Sequence, residues 1–396
     1  MTDAPVPQSH APGDRPPRVL LTTAAVGAGH ASVAGALAER FAAEAPEVEL
    51  ESVDVLDFVP RWFRAWYAGG FALLMSRLPW LYGWGYRYKN RPHTPDRARG
   101  ERFRMWFERR MLRRFLRHVE RTRPELILHT HFLPAPAVGR MIDRAETDAE
   151  QMVVVTDIEV HRWWYAENVR HWFVAQPPSA DPLRRWGVGP DRVTRSGIPV
   201  RAKWTQALDA DALRDKWGLP GGRKGLILTG GANFTCGPVA RLAKELLEAC
   251  PEAHLYALAG RNEKLRRRLE AHPEAGRRMQ VLGFVPDLHE LVDICSLMIT
   301  KSGGVTTSEC LARGMPMVLL KPVPGHEQGN AEFYESRGAA VIAWNHEDVA
   351  PRASALLSEP ERLERMSRAS QSLHRDGAAT VVGAVRDAIA ARRSGR

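Results

Sequence analysis

Residues Ile299 to Asn330, I-T-K-S-G-G-V-T-T-S-E-C-L-A-R-G-M-P-M-V-L-L-K-P-V-P-G-H-E-Q-G-N, decide the fold. They read as the end of a strand, a Ser-Gly-Gly turn at Ser302, Gly303 and Gly304, and a helix from about Val305. A break at Gly314 to Pro316, a buried strand over Met317 to Leu320 and a loop closed by Asn330 follow. The two glycines let the backbone approach a ligand closely, and the free N–H groups opening the helix make an anion site. Thr306, Thr307 and Ser308 add hydroxyls to its first turn, and Glu309 brings a carboxylate suited to a ribose diol. A diphosphate joined to a ribose fits that order of groups. An ordinary strand-turn-helix unit would account for Ser-Gly-Gly alone. The Pro322 to Asn330 half tips the balance, because it sets Glu327, Gln328 and Asn330 beyond the carboxyl end of a strand, where open α/β sheets take ligands.

Working outward, Gly225 to Asn233 repeats the pattern: a buried strand ends in a turn at Gly230, Gly231 and Asn233, ahead of a helix over Val239 to Ala249. Two glycine turns from two domains can grip one diphosphate. His254 to Gly260 followed by Arg261 is a further strand and turn, and Met279 to Val285 ends in a loop at Phe284 and Val285 that suits a flat base.

Toward the N-terminus, Arg18 to Thr23 is a short buried strand, and Gly27 and Gly29 allow a tight turn before a helix running to Phe41. His30 stands at that helix start, where the dipole disfavours the imidazolium and helps to keep the ring neutral. A neutral ring can accept a proton, and it can equally do no more than cap the turn. The lone G-x-G lacks the third glycine of a dinucleotide fingerprint. Glu125 to Thr130 is another strand, flanked by His129 and His131 without a carboxylate or cysteine to complete a metal set. Gln151 to Thr156 delivers Asp157 to a strand end, followed by His161 and Trp164; Asp157 and His161 suit an acid/base pair, or Asp157 a turn cap.

Between a second, alternating strand over Pro46 to Asp57 and these, Pro60 to Arg91 interleaves Trp62, Trp66, Trp80, Tyr82 and Trp84 with arginine and lysine. Such a mixture suits a lipid headgroup layer, with stacking of single-stranded nucleic acid and a plain aromatic core as weaker readings. Arg97 to Arg123 is a basic helix whose apolar stripe is expected to face the core.

The chain has 396 residues, 44% hydrophobic and 26% charged, with a formal charge of +10, so two ordinary globular domains and an anionic partner are expected. No apolar run reaches the ~18 residues of a membrane span, and no secretory signal is visible. A cytoplasmic protein, peripheral on the inner face of the cell membrane, is the expectation. The four cysteines show no C-x-x-C spacing, so no zinc site or disulfide framework is indicated. The one D-x-D, Asp209 to Asp211, lies away from any strand end, and no metal or other cofactor is expected.

The T-K-x-G-G-x-T-x-S-E and P-x-P-G-x-E-x-x-N segments resemble the nucleotide-sugar site of the glycosyltransferase family of monogalactosyldiacylglycerol synthases and processive diacylglycerol glucosyltransferases. The bacterial cell-wall lipid-linked GlcNAc transferase is a more distant relative. The resemblance covers the chain from about Arg18 onward, through G-x-G-H at His30, T-D with H-x-x-W at Asp157 to Trp164, and G-R-N at Gly260. It implies an α/β GT-B fold, two Rossmann-like domains facing across a cleft. The expected layout is a tail to Pro17, an N-terminal acceptor domain over 18–200, a linker over 201–215, a nucleotide-sugar domain over 216–375 and a last helix over 376–396 that crosses back.

By the same resemblance the protein is an inverting transferase moving a hexose from a UDP-sugar to diacylglycerol, with His30 or Asp157 as base and helix N-termini easing UDP departure. Ser302, Gly303, Gly304, Thr306, Thr307 and Glu309 would hold the nucleotide, with Glu327, Gln328 and Asn330 at the sugar. Gly27, Gly29, the tryptophans, Tyr82, His161 and Trp164 would form the acceptor and membrane side. A UDP-GlcNAc transferase acting on a cell-wall lipid, and a UDP-sugar 2-epimerase that needs no aromatic segment, are the alternatives. Nucleic acid is not an expected partner, and oligomeric state is left open. Ala28 and His326 depart from the family pattern and bear on sugar choice.

Overall fold

Runs such as Val19 to Leu21 and Leu226 to Leu228 are apolar on both faces, and such strands need cover on both sides, which a parallel sheet with flanking helices provides. The computed structural model describes residues 15–395 apart from 78, 91–105 and 231–237. β1 (Arg18–Thr23), β2 (Glu49–Asp54), β3 (Leu126–His129), β4 (Glu150–Val154), β5 (Val169–Val174) and β6 (Val193–Arg195) form one parallel sheet in the order β2-β1-β3-β4-β5-β6. The second sheet is built from β7 (Lys224–Thr229), β8 (Ala253–Leu258), β9 (Met279–Leu282), β10 (Cys295–Thr300), β11 (Met317–Leu320) and β12 (Ala340–Ala343). Its order is β12-β11-β10-β7-β8-β9, again all parallel. The direction in which successive strands are added reverses between β1 and β3 in the first sheet and between β10 and β7 in the second, and crevices for ligands open at such points.

The helices that position the site are α1 (Ala28–Glu44), α2 (Arg61–Arg77), α3 (Pro79–Asn90), α4 (Arg113–Thr122), α5 (Ala210–Lys216), α6 (Gly304–Arg313), α7 (His326–Ser336) and α8 (Gly377–Ser394). α6 ends where Gly314 takes a left-handed conformation, φ 65°, at the Gly-Met-Pro break. The stretch expected to be a loop closed by Asn330 differs. Gly325, at φ 119°, ends the loop, and α7 begins at His326, so Glu327, Gln328 and Asn330 lie on its opening turns. The span expected as a linker contains a 3-10 turn over Ala202–Trp204 and helix α5, whose N-cap is Asp209 of the D-x-D; its carboxylate accepts from the amides of Asp211 and Ala212.

α8 lies against α1, with Arg40–Asp376, Arg386–Glu47, Arg392–Asp148 and Arg393–Glu125 ion pairs along its length. Side chains of α1, α6 and α8 belong to one apolar core reaching from the first sheet to the second. The two domains are thus joined by buried surface as well as by chain. α4 buries Phe115, Leu116 and Val119 and leaves Arg113, Arg114 and Arg117 exposed. Among the described residues no helix is long and apolar enough to cross a membrane.

Candidate active site

The turns after β1 and β10 meet across the cleft. A Cβ at Gly29 would stand 3.3 Å from Val305, and one at Gly304 would fall 2.1 Å from the Thr156 carbonyl oxygen, so a side chain at Gly304 has no room. Gly27, in extended conformation, is the N-cap of α1 and has open space around it. His30 follows in the first turn of α1. Its Nδ1 lies 2.8 Å from the Thr130 carbonyl, with the Thr156 hydroxyl at 3.3 Å. A carbonyl can only accept, so that bond requires the proton on Nδ1, and Nε2 of the neutral ring keeps its lone pair.

The two histidines beside the third strand part company. His129 is buried, Nδ1 bonded to Thr22 and Nε2 to Gln151, and burial lowers it to about 4. His131, past the strand end, meets the His30 ring edge-on with centroids 4.5 Å apart. Its Nδ1 accepts from the Leu133 amide, and burial, followed by the neighbouring His30, pushes it well below the usual histidine range. Trp164 is buried with its ring 6.1 Å from His30. His161 is buried too, its Nδ1 accepting from the Trp163 amide.

On the donor side, Gly303 is the N-cap of α6, and no side chain caps this helix end. Thr306 is partly exposed on its first turn. Thr307 is buried; its hydroxyl donates to the Gly303 carbonyl at 2.9 Å, and the Tyr334 phenol stands 3.1 Å away. Burial pushes the Tyr334 phenol up to about 12, against its hydrogen bonds with the Thr307 and Ser308 side chains. Asp157 stands in the chain between Thr156, whose hydroxyl is near His30, and Ile158, whose amide meets Asn330. Ser302 is buried, with its hydroxyl donating to the Glu327 carbonyl at 2.6 Å. The Glu327 carboxylate is buried and receives Lys301 Nζ at 3.0 Å. Gln328 donates to Glu332 at 2.7 Å. Asn330 is wholly buried, bonded to the Ile158 amide of one domain and the Ser302 carbonyl of the other.

Glu309 faces the interdomain connection. Burial pushes its carboxyl up to about 8, against the pull of Lys203, a hydrogen bond from the Trp204 side chain, and Arg201. Gly230 closes β7, while Gly231 and Asn233 lie outside the described residues. Along the same sheet edge Arg261 stacks over the exposed Phe284 ring at 5.2 Å, and Val285 packs on the core behind it. Spacing singled out His131 beside His129 but offered no sign of Tyr334, Thr156 or Trp204, whose relevance arises from packing across the cleft.

The aromatic stretch folds as α2 and α3. Trp62 and Trp66 lie exposed four residues apart on α2, and Trp80, Trp84 and Tyr88 form an exposed stripe on α3, with Trp80 67% exposed. The Tyr82 side chain is outside the described residues. Toward the body of the protein α3 is held at two points. A Cβ at Gly83 would sit 2.7 Å from Pro324, and Asn90 accepts from the Arg162 amide at 2.9 Å.

Residues 30–200 match the monogalactosyldiacylglycerol (MGDG) synthase family, and residues 228–381 match the glycosyltransferase family 28 C-terminal domain. The chain is 32% identical over 265 residues to the processive diacylglycerol beta-glucosyltransferase of Bacillus subtilis (strain 168), covering 67% of this chain and 69% of that protein. The enzyme of the same name from Bacillus cereus (strain AH187) is 28% identical over 91% of this chain and 90% of its own. Among solved structures, Acinetobacter baumannii MurG superposes with a TM-score of 0.62 at 15% identity, covering 94% of this chain and 100% of that one. The UDP complex of Staphylococcus aureus MnaA gives 0.64 at 13%, covering 94% and 97%. At such identities the structural likeness speaks for the fold, which is GT-B.

Proposed function

The chain belongs to the glycosyltransferase family of monogalactosyldiacylglycerol synthases and processive diacylglycerol glucosyltransferases, and from that premise we propose that it transfers a hexose from a UDP-sugar to diacylglycerol with inversion at the anomeric carbon. The observation that carries the mechanism is the His30 Nδ1 contact to the Thr130 carbonyl at 2.8 Å, which leaves Nε2 as a base. In this reading the acceptor hydroxyl gives its proton to Nε2 as its oxygen attacks the anomeric carbon from the face opposite UDP. The glycosidic C–O bond to the diphosphate breaks, and UDP leaves with the electron pair. His131, kept neutral beside His30, adds no competing positive charge. Asp157, next in the chain to the Thr156 carbonyl that abuts Gly304, would orient the reacting groups.

The growing charge on the diphosphate is met by the uncapped amides of Gly304, Val305 and Thr306. The reading assigns that work to amides rather than to a metal, since the D-x-D is engaged in capping α5. Glu309 would take the ribose after release from the Trp204 contact, Phe284 with Arg261 would flank the base, and Glu327 and Gln328 would meet the sugar. The exposed Trp62, Trp66, Trp80 and Trp84, together with the cationic face of α4, would seat the protein on an anionic lipid surface. That arrangement fits a peripheral enzyme that meets its acceptor in the membrane.

The test is UDP release from a panel of UDP-sugars, with and without diacylglycerol in anionic vesicles. Release that needs both one sugar and the lipid is expected. Release without lipid, or none with any lipid, would sink the acceptor assignment.

A further inference from the structure

The first domain's turn from Thr156 to Glu159 lies directly on the donor segment of the second. At Gly304 the Thr156 carbonyl occupies the space of a side chain, and a Cβ at Gly329 would stand 2.6 Å from the Glu159 carboxylate. Beside these glycines the Asn330 side chain bridges the turn to the donor segment. Its Oδ1 accepts from the Ile158 amide at 2.9 Å, and its Nδ2 donates to the Ser302 carbonyl at 2.9 Å. The partners fix which way the amide faces, because an N–H must meet the oxygen and a carbonyl must meet the nitrogen. Asn330 has no exposed surface, 0%.

The bridge continues on both sides. Ile158 is the neighbour of Asp157 in the chain, and Ser302 passes the connection on through its hydroxyl to the Glu327 carbonyl at 2.6 Å. Glu327 in turn holds Lys301. One buried carboxamide therefore ties the backbone beside Asp157 to the loop and helix turn that carry the donor-side residues. Few side chains can do this: the site demands an acceptor and a donor on one short planar group. Aspartate would set oxygen against the Ser302 carbonyl, and alanine would leave two buried backbone groups unpaired.

We infer that Asn330 is a positioning residue that registers the acceptor domain against the donor domain, and not a sugar contact. It holds Asp157 and the Thr156 ligand of His30 in fixed relation to the α6 N-terminus, so that base, acceptor and leaving group line up. A misalignment near 1 Å is enough to cost about a hundredfold in rate. The inference rests on the transferase reading above for its kinetic part, while its structural part can be measured without turnover.

The experiment uses the full chain with Asn330→Ala. Hydrogen exchange at the Ile158 amide is followed in the protein without substrate, alongside kcat, KM for the UDP-sugar and the dissociation constant of UDP. The expected result is Ile158 exchange at least tenfold faster, kcat lower by about 10- to 100-fold, and UDP-sugar KM and UDP affinity within about twofold of the parent. If alanine lowers the melting temperature into the assay range, Asn330→Ser serves instead; its hydroxyl is too short to span both partners, and the same split is expected. A raised UDP-sugar KM with kcat retained, or a changed choice among UDP-sugars, would make Asn330 a sugar contact and overturn the inference. So would unaltered Ile158 exchange. Should the parent protein release no UDP from any donor and lipid, the transferase reading fails, and the exchange result alone then decides whether Asn330 joins the domains.

Discussion

Gly304→Ala is the sharpest probe of the seam between the domains. The added Cβ would fall 2.1 Å from the Thr156 carbonyl oxygen, against a closest tolerable approach of about 3.0 Å, and the obstacle is backbone, which cannot swing aside. Either α6 or the Thr156 turn must retreat by about 1 Å. Thr156 contacts the Nδ1 of His30 and precedes Asp157, so the retreat separates the base side from the helix end that receives the diphosphate. A displacement of that size costs on the order of 10²-fold in kcat, or about 2.7 kcal/mol of transition-state stabilisation. The measurement is initial-rate UDP release at saturating UDP-sugar and lipid, with UDP affinity by calorimetry and a melting curve to establish that the fold survives. Gly303→Ala is the comparison: its Cβ would meet nothing nearer than Lys301 Cε at 3.9 Å, and its φ of −70° suits any residue, so its cost is expected to be far smaller. A Gly304→Ala enzyme with kcat within twofold of the parent would refute the account of a catalytically tuned seam.

His30→Ala is expected to lower kcat by about 10²- to 10⁴-fold with little change in UDP-sugar KM; a parallel loss of donor affinity would count against a base. Trp80→Ala with Trp84→Ala should weaken sedimentation with anionic vesicles by at least about tenfold while UDP affinity in solution holds, and unchanged vesicle binding would remove α3 from the membrane face. Glu309, raised to about 8, is protonated at neutral pH and charges as pH rises. If its carboxylate takes the ribose diol, UDP affinity climbs between about pH 7 and 9, and Glu309→Gln flattens that climb; an unaltered slope would exclude the role. His129 is lowered to about 4 from 6.5, so between those values the unfolded chain binds the extra proton and stability falls as pH drops. The full span is worth about 3 kcal/mol, and urea unfolding of His129→Gln at pH 7 and 4.5 should lose that part of the acid sensitivity.

Much of this was legible along the chain because it depends on near neighbours. A doubly apolar run of four to six residues, a glycine turn and an amphipathic helix are local patterns, and their repetition dictates parallel sheets. Val19 to Leu21 with Gly27, and Leu297 to Ile299 with Gly303, carry that message without help from the rest of the fold. The compound motif from Thr300 to Asn330 likewise carries the family, since its residue types recur at fixed spacing. Boundaries were less clear: spacing gave no hint that Gly325 would adopt φ 119° and let a helix begin at His326.

What the tertiary structure alone decided is which way each polar group is turned. His129 and His131 are two residues apart, yet one is paired inside the first sheet and the other borders His30. Glu309 meets the Trp204 side chain, Gly83 lies on Pro324, and Asn330 spans 172 residues to reach Ile158. Hydrogen bonds and close contacts act over about 3 Å whatever the separation in sequence. Periodicity, by contrast, reports only what a single strand or helix presents. The elements and the chemistry they carry were therefore written in the sequence, while the register of one domain on the other emerged only from packing across the cleft.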